Sequence, residues 1–442
     1  MKRKLVLIAL VVVLVAAALW VAGALEATGP SGEPQGLNAA DTAWVSVAAV
    51  LVMLMTPALG FFYGGLVRQK NVVSTIVQCL IIFAIATGVW TLVGYSLAFG
   101  PSVGGVIGNL KHVFLRGVGA APDPGYAGTI PALSFYFFQL KFAAITPALI
   151  IGAFAERIRF RSLIAFIVVW AVVVYAPVAH WVWGVGGWLR GLGALDFAGG
   201  TVVHVLAGTS ALASALVIGR RTDGHPEGRP SNVPFVILGA ALLWFGWFGF
   251  NAGSALAMNS VAVTALVTTN IAAAFATLSW VAVDWCLWGK PSATGAATGA
   301  VCGLVAITPA AGFVDSTGAI VIGLMAGMIC NFVVLLLDRT GLDDTLDVFA
   351  CHGCGGIWGA IATGIFAQKL VNPAGGNGLL YGNPKQVLIQ IAAVLASAVW
   401  GFVMSVLILK AIDWAMGLRV SPEEEEVGLD VSQHGESAYC YD

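Results

Sequence analysis

Eleven long apolar segments constrain this chain more strongly than any other feature of its sequence. Each is long enough to cross a hydrocarbon core of about 30 Å as a helix. Because lipid offers no hydrogen-bonding groups, a backbone that spans it must satisfy its own N–H and C=O groups. Only 10% of the 442 residues are charged, against about a quarter in soluble domains. The sequence therefore predicts an all-α polytopic membrane protein, with helices at about 41–66, 72–99, 131–156, 162–184, 199–219, 233–256, 260–283, 293–312, 317–338, 348–368 and 385–414.

The N-terminus has the pattern of a secretory signal peptide. Three basic residues precede an apolar run from Leu5 to Leu25, which contains the small-residue site Ala22-Gly23-Ala24. This pattern predicts cleavage after residues 1–24, and a retained transmembrane anchor is the alternative. In either case residues 25–40, which are polar and rich in Gly and Pro, form an extracellular N-terminal segment.

Basic residues cluster in alternate connections between the apolar segments. By the positive-inside rule these connections are cytoplasmic. The sequence thus predicts a multi-pass protein of the inner cell membrane, with an outside N-terminus and a cytoplasmic tail at residues 415–442. The clustered residues are Arg68, Lys70, Arg157, Arg159, Arg161, Arg220, Arg221, Arg229, Lys290, Arg339 and Arg419.

Short motifs recur at an offset of five helices. Ala144–Ala148 in the third helix recurs as Ala306–Ala310 in the eighth, and Gly60–Gly64 in the first resembles Gly246–Phe250 in the sixth. Since five is odd, the second copy crosses the membrane in the opposite sense, as in the inverted repeats of transporters. We predict two inverted five-helix repeats, at about 41–219 and 233–368, plus a last helix at 385–414.

Two histidines lie within apolar, small-residue segments. His204 is near the centre of Asp196–Leu216, and His352 occupies a similar run. An ionisable group at this depth is costly unless it has a partner or lines a pathway. The five-helix offset relates the two histidines and would bring them to equivalent depths. The alternative is two separately satisfied core histidines.

Several longer strings carry a family resemblance, in matching order over about Ala40–Tyr439. They are Phe154–Phe160, Asp196–His204, Gly246–Ser254, Asp347–Gly353, Gly417–Val420 and Gly428–Glu436. The chain resembles the ammonium transporter (Amt/Mep/Rh) family, and its tail resembles the bacterial Amt branch. The resemblance implies a homotrimer of eleven-helix subunits, with residues 41–414 as the membrane domain of each and a pore within each subunit.

The resemblance also implies site residues. Phe138, Trp183 and Ser254 match an external recruitment site, where aromatic faces attract ammonium and a hydroxyl accepts one of its protons. Phe142, Phe250 and Trp247 match a gate, and His204 and His352 match a pore-lining pair that relays protons. Asp196 matches a supporting residue near the recruitment site. Apart from the resemblance, Trp near a helix end is typical of an interfacial anchor, and Phe is an ordinary core residue.

We therefore expect an ammonium transporter or channel, not an enzyme, that recruits ammonium, deprotonates it and conducts ammonia. Ammonium and methylammonium are the expected substrates. One alternative is an ammonium sensor with little flux, and another is a bis-histidine haem redox protein. Neither cofactor nor metal is expected. Cys351–Cys354 does not have the residue order of a haem attachment motif, and the sequence has no second pair of ligands to complete a structural zinc site with it.

Two charged features complete the prediction. Lys141 lies between Phe138 and Phe142; it either snorkels outward, meets a subunit boundary, or faces the mouth and repels cations.

By resemblance, the tail that follows the acidic run Glu423–Glu426 docks on the basic loop Glu156–Arg161, where a trimeric PII-type nitrogen-regulatory protein can bind. A net charge of −1 gives no basis for nucleic-acid binding.

Overall fold

The computed structural model describes residues 36–222 and 230–439. The predicted signal peptide at residues 1–24 lies outside the described residues, as does most of the extracellular segment. Within them, ten helices are long and apolar enough to cross a membrane, and an eleventh apolar helix is shorter. In chain order, α1 to α11 are Ala39–Leu66, Gln69–Phe99, Ala132–Ala153, Phe160–Leu192, Gly200–Ile218, Val233–Gly253, Ser260–Trp288, Ala293–Ile307, Ser316–Thr340, Phe349–Phe366 and Lys385–Met416.

This architecture confirms the predicted fold class, an all-helical polytopic membrane protein, and it is consistent with eleven crossings. The short helix is α8, which was expected to reach residue 312 but ends at Ile307. Pro309 lacks a backbone N–H and disfavours helical backbone in the residue before it, so the helix ends just ahead of that residue. At 1.5 Å per residue, α8 is about 22 Å long. The equivalent Pro147 of the repeat remains inside α3.

Two short hairpins follow α2 in the chain, and the second of them lies beside the N-terminus of α1. β1 (Ser102–Val103) pairs with β2 (Ile107–Gly108), and β3 (Pro122–Asp123) pairs with β4 (Ala127–Pro131), both antiparallel. The Asn38 N–H, at the start of α1, donates to the Thr129 carbonyl at 2.8 Å. We call this end of the bundle the hairpin face. The opposite end carries residues 417–439 and is called the tail face.

Small residues allow the helices to approach closely. A Cβ added at Gly323 of α9 would lie 2.4 Å from the Ala272 carbonyl of α7, and one added at Gly327 would lie 2.3 Å from the Ala276 carbonyl. A Cβ at Gly239 of α6 would lie 2.4 Å from the Phe62 backbone of α1. Contacts of this kind, backbone against backbone, are typical of helix packing in membranes. They leave a narrow interior.

Candidate functional site

Three cavities lie in line through the bundle. The hairpin-face cavity has a volume of about 550 Å³, and the tail-face cavity about 260 Å³. Between them is a small cavity of about 10 Å³, lined mostly by apolar side chains together with His204 and His352. A volume of that size is about what one water molecule needs. A hydrated ion therefore has no room at the middle of this path.

Trp183 and Ser254 both line the hairpin-face cavity. The Trp183 indole N–H donates to the Asp196 carbonyl at 3.0 Å, which fixes the orientation of the ring. The Ser254 hydroxyl donates to the Phe250 carbonyl at 2.9 Å. Since that bond uses the only hydroxyl proton, the Ser254 oxygen presents lone pairs as acceptors. An aromatic face and an acceptor oxygen are therefore available to a small cation.

Phe138, the third residue expected in the recruitment site, is fully buried. It is not among the residues that line the hairpin-face cavity. Its ring packs edge-on against Phe142, with centroids 4.9 Å apart. Phe142 does line the cavity and lies 5.9 Å from the Trp183 ring. Phe138 thus supports Phe142 from behind in this conformation.

Phe142, which lines the hairpin-face cavity, packs against Phe250, which lines the middle cavity. Their ring centroids are 4.4 Å apart and their planes are tilted by 48°. Both side chains are buried, and Trp247 packs beside Phe250 at 5.3 Å. At this separation the two rings are in van der Waals contact. The path is closed here in this conformation, so passage requires a ring to move.

Immediately beyond these rings, His204 and His352 meet. Their Nδ1 atoms are 3.2 Å apart, and the ring planes differ by 20°. Each histidine lies in a six-residue π-helical turn, Gly200–Val205 in α5 and Phe349–Cys354 in α10. Such turns are rare in proteins as a whole, but they occur often at functional sites. The structure therefore brings together the two histidines that the sequence related.

Glycines of α5 and α10 explain why the two rings can touch. A Cβ added at Gly208 would lie 2.1 Å from the Gly353 nitrogen, and one added at Gly356 would lie 3.0 Å from the His204 Cβ. The two helix backbones are thus in direct contact on both sides of the histidine pair. With larger residues at these positions the helices could not pack so closely.

The contact defines what the pair offers chemically. A neutral imidazole has one N–H donor and one acceptor nitrogen. If one Nδ1–H donates to the other Nδ1, one ring is left with an acceptor Nε2 and the other with an Nε2–H donor. The His204 Nε2 is buried and has no hydrogen-bond partner among the described residues. The pair can therefore accept a proton at one end and release one at the other.

Trp247 holds the His204 ring in place. The two rings stack with centroids 5.4 Å apart and planes 20° apart. The Trp247 indole N–H donates to the Thr308 hydroxyl at 2.9 Å. Thr308 is the C-cap residue of α8, directly after Ile307. Its buried hydroxyl, which itself donates to the Leu304 carbonyl at 2.7 Å, is the acceptor that orients the tryptophan.

Asp196 organises the start of the helix that carries His204. Its carboxylate accepts the backbone N–H groups of Gly199, Gly200, Thr201 and Val202 at 2.5–3.2 Å. It also accepts the hydroxyl of Thr201. These N–H groups have no intrahelical acceptor at a helix N-terminus, and a negative charge there is favoured by the helix dipole. The Asp196 carboxylate therefore caps the start of α5.

Sequence reasoning missed Gln139 and Arg190, which also line the hairpin-face cavity. The Gln139 Oε1 is buried without a hydrogen-bond partner among the described residues. It is an additional acceptor, and its position directly after Phe138 was the only signal for it. Arg190 donates to the Trp183 carbonyl at 2.7 Å. Its positive charge at this mouth could not be foreseen from the sequence.

Lys141 does not face the path, which excludes the predicted alternative that it repels cations at the mouth. Its Nζ lies 3.6 Å from the centroid of the Phe137 ring and 5.2 Å from that of Phe83. Both contacts are within the range of cation–π attraction. Phe83 belongs to α2, so the ammonium group lies on the flank of α2 and α3, away from the Phe142 ring.

The tail docks on the tail face of the bundle. The Asp430 carboxylate accepts the N–H groups of Val73 and Ser74 at 3.0 and 2.7 Å, near the start of α2. The Arg159 N–H donates to the Leu418 carbonyl at 3.0 Å. These bonds join the tail both to the loop between α1 and α2 and to the loop between α3 and α4.

Glu425, within the acidic run, is buried rather than solvated. Its carboxylate accepts the Thr222 N–H at 2.7 Å and pairs with the Arg419 guanidinium at 2.7 Å. Burial alone would raise the pKa of Glu425, but the hydrogen bonds from Arg419 and Thr222 outweigh it and hold that pKa below its ordinary value. The ionised carboxylate is therefore part of the docked tail.

Among the described residues, no group of three or more His, Cys, Asp or Glu side chains could hold a metal ion. Cys351 and Cys354 are free thiols. Cys351 packs in an apolar cluster with Cys302, Cys330 and Trp280.

Fold and site together define a polytopic α-helical membrane protein with a narrow apolar path between two cavities. A family model described as "Ammonium Transporter Family" matches residues 43–439. The chain belongs to the ammonium transporter family.

Curated relatives match nearly the whole chain. It is 50% identical over 401 residues to the "Ammonium transporter" of Bacillus subtilis (strain 168), covering 90% of this chain and 98% of that protein. It is 48% identical over 400 residues to "Ammonium transporter Amt1" of Archaeoglobus fulgidus, covering 90% and 99%.

Solved structures share the fold. The crystal structure of Saccharomyces cerevisiae Mep2 matches with a TM-score of 0.83 and 36% identity, over 88% of this chain and 89% of that one. A structure described as "Sensor Amt Protein" matches with a TM-score of 0.82 and 33% identity, over 89% and 98%.

Proposed function

We propose that this protein is an ammonium transporter or channel that recruits ammonium at the hairpin face, deprotonates it and conducts ammonia past His204 and His352. The observation that carries the proposal is the histidine pair on a narrow apolar path between two cavities. Its curated relatives in Bacillus subtilis and Archaeoglobus fulgidus are named as ammonium transporters.

The size and polarity of the path support conduction of the neutral species. A charge moved into a low-dielectric interior without a partner carries a large penalty. The middle cavity, of about 10 Å³, leaves no space for a hydration shell that would offset this penalty. Ammonia is neutral and about the size of water, so it passes at far lower cost. The ion therefore gives up one proton before the phenylalanine pair, and solvent in the hairpin-face cavity accepts that proton.

Each residue has a role in this proposal. Trp183 and Ser254 attract and hold ammonium, with Phe138 supporting the aromatic wall. Phe142 and Phe250 exclude hydrated ions, with Trp247 beside them. The two histidines accept hydrogen bonds from the passing molecule and relay a proton between their nitrogens, as their Nδ1 contact of 3.2 Å permits. Asp196 acts by holding the helix start in place.

The larger assembly belongs to the same proposal. The protein forms a homotrimer in the inner cell membrane, with the hairpin face outside and residues 415–442 in the cytoplasm. The alternate basic connections support this orientation. The docked tail, with its exposed acidic residues Glu423 and Glu426, supplies a surface for a trimeric PII-type regulatory protein.

A sensor role is the second candidate, because the chain is similar to the structure described as a sensor Amt protein. A sensor on this fold would bind ammonium but show negligible flux. Flux therefore separates the two functions.

The test is uptake of labelled methylammonium, or of ammonium, into proteoliposomes containing the intact protein, His204→Ala, or His112→Ala. His112 lies on the hairpin face, where its Nδ1 contacts the Arg116 carbonyl at 2.8 Å, so it controls for loss of a histidine outside the path. We expect flux from the intact protein and the control, and changed flux or selectivity in His204→Ala. No flux from the intact protein would overturn the transport function. Unchanged flux and selectivity in His204→Ala would overturn the histidine role.

A further inference from the structure

The tail-face cavity contains an anionic group that the proposed path does not use. Asp284 of α7 lines this cavity and is only 6% exposed. Its Oδ1 accepts the side-chain N–H of Asn331 at 2.9 Å, and its Oδ2 is 3.4 Å from the Ser292 N–H. No ion pair to Asp284 occurs within residues 36–222 and 230–439. A carboxylate this buried normally has a cationic partner.

Asn331 of α9 supplies a second, independent observation. It also lines the tail-face cavity and is 4% exposed. Its amide nitrogen donates to Asp284, so a flip of the amide would set two oxygens against each other and is excluded. The Asn331 Oδ1 is then left buried without a hydrogen-bond partner in the described parts of the chain. A buried acceptor without a partner is unfavourable, and a bound hydrogen-bond donor would satisfy it.

The surroundings indicate which ligand fits. The Trp280 and Trp288 side chains line the same cavity. Besides Asp284, the titratable residues that line it are Tyr63, Asp347, Cys351 and His352. Indole faces attract cations. Calcium and magnesium prefer six or more oxygen ligands, and the Asp284 and Asn331 pair offers few. A carboxylate, an amide oxygen and aromatic faces suit a small monovalent cation that carries several N–H donors.

We propose that Asp284 and Asn331 form a binding site for ammonium in the tail-face cavity. The choice of ammonium rests on the proposed function, whereas a cation site of this geometry does not. The site holds the ion on the tail side of the histidine pair, close to where ammonia leaves His352 and regains a proton. Occupancy of this site determines at what concentration ammonium from the tail face enters the path. It also determines at what concentration that ammonium competes with the release of ammonia from the path.

The direct test is diffraction from crystals of the intact protein soaked in thallium(I), a monovalent cation close to ammonium in size with a strong anomalous signal. We expect an anomalous peak beside the Asp284 carboxylate and the Asn331 Oδ1, lost in Asp284→Asn and retained in Asp123→Asn. Asp123 accepts the Gly125 N–H in the β3–β4 turn of the hairpin face and is the matched control. Absence of the peak in the intact protein, or its persistence in Asp284→Asn, would overturn the site.

A functional measurement accompanies the structural one. Uptake of labelled methylammonium is compared in inside-out and right-side-out membrane vesicles. Loss of one hydrogen bond to a charged ligand predicts about a tenfold rise in half-saturation on the tail face for Asp284→Asn, with little change on the hairpin face. Equal half-saturation of variant and intact protein on the tail face would contradict the assignment of ammonium.

The outcomes separate this inference from the proposed function. If the intact protein shows the thallium peak but no flux in either vesicle type, the proposed function fails and the cation site remains. If flux is present but neither peak nor half-saturation responds to Asp284→Asn, the inference fails alone. Should Asp284→Asn not yield monodisperse protein, Asn331→Leu removes the unpaired acceptor while keeping the branched shape of the side chain, and is expected to weaken the peak as well.

Discussion

The contact between α5 and α10 at Gly208 provides the most stringent test of how this site is built. Gly208→Ala changes one hydrogen into a methyl group and alters neither histidine side chain, although the new methyl lies 2.9 Å from the His352 carbonyl carbon. The added Cβ would lie 2.1 Å from the Gly353 nitrogen and 2.3 Å from its Cα. To reach the shortest ordinary contact, 3.4 Å, the two backbones must separate by about 1.3 Å.

This separation is large compared with the tolerance of the histidine contact. If half of it reached the rings, the Nδ1···Nδ1 distance of 3.2 Å would grow to roughly 3.9 Å, beyond hydrogen-bond range. Overpacking of this kind destabilises a protein by about 1–3 kcal/mol. We therefore expect a folded protein with a lower melting temperature, a broken histidine contact and reduced methylammonium flux.

Flux into proteoliposomes and the histidine separation in a high-resolution structure of the variant are the two measurements. Gly88→Ala is the matched control, because Gly88 lies in a membrane helix and an added Cβ there meets nothing within 4 Å. It should keep normal flux and stability. If Gly208→Ala retained both the 3.2 Å contact and full flux, the reasoning that close backbone packing creates the histidine pair would be refuted.

Three further predictions follow from single contacts. Asp196→Ala leaves buried helix-start N–H groups without an acceptor and should destabilise the protein by about 2–4 kcal/mol; an unchanged thermal-unfolding midpoint would contradict this. Because the folded pKa of Glu425 lies below its ordinary value of 4.5, its contribution to tail docking is complete above that pH and is lost as the pH falls through the folded pKa. The protection of residues 417–439 against hydrogen exchange, taken relative to the intrinsic rate at each pH, should therefore fall on acidification, and Glu425→Gln should show the same lower protection already at neutral pH; equal protection at all pH values would rule out this role. Thr308→Val removes the acceptor of the Trp247 N–H and should lower stability by about 1–3 kcal/mol and reduce flux, whereas Thr308→Ser retains the hydroxyl; identical behaviour of the two variants would exclude the hydrogen bond as the cause.

The fold could be predicted from the sequence because its determinants are local in the chain. Each spanning helix needs about 20 apolar residues, and most predicted boundaries lie within a few residues of those observed. The end of α7 deviates more, reaching Trp288, whereas the continuous part of α4 ends at Trp183, beside the predicted end at residue 184. The end of α8 at Ile307 was also local, since Pro309 marks it, but an apolar window alone does not detect it.

The histidine pair was predictable for a different reason. An ionisable residue in an apolar run is conspicuous. The offset of five helices relates His204 to His352 from the sequence alone. Trp183, Ser254, Phe142, Phe250 and Trp247 were selected through family resemblance, since Trp and Phe are too common here to be distinguished by pattern.

Only the tertiary structure decided which side chains remain unpaired and in which direction they point. Asp284 and Asn331 are 47 residues apart on separate helices, and nothing in either local segment shows that one takes the amide of the other and leaves an oxygen free. Lys141 adjoins the gate residue in sequence, yet it turns away to Phe137 because successive residues of a helix point in different directions. The sequence by itself determined the helices and their apolar character, which depend on short stretches of chain. The orientation and pairing of buried polar groups depend on contacts between distant helices, so only the folded structure could supply them.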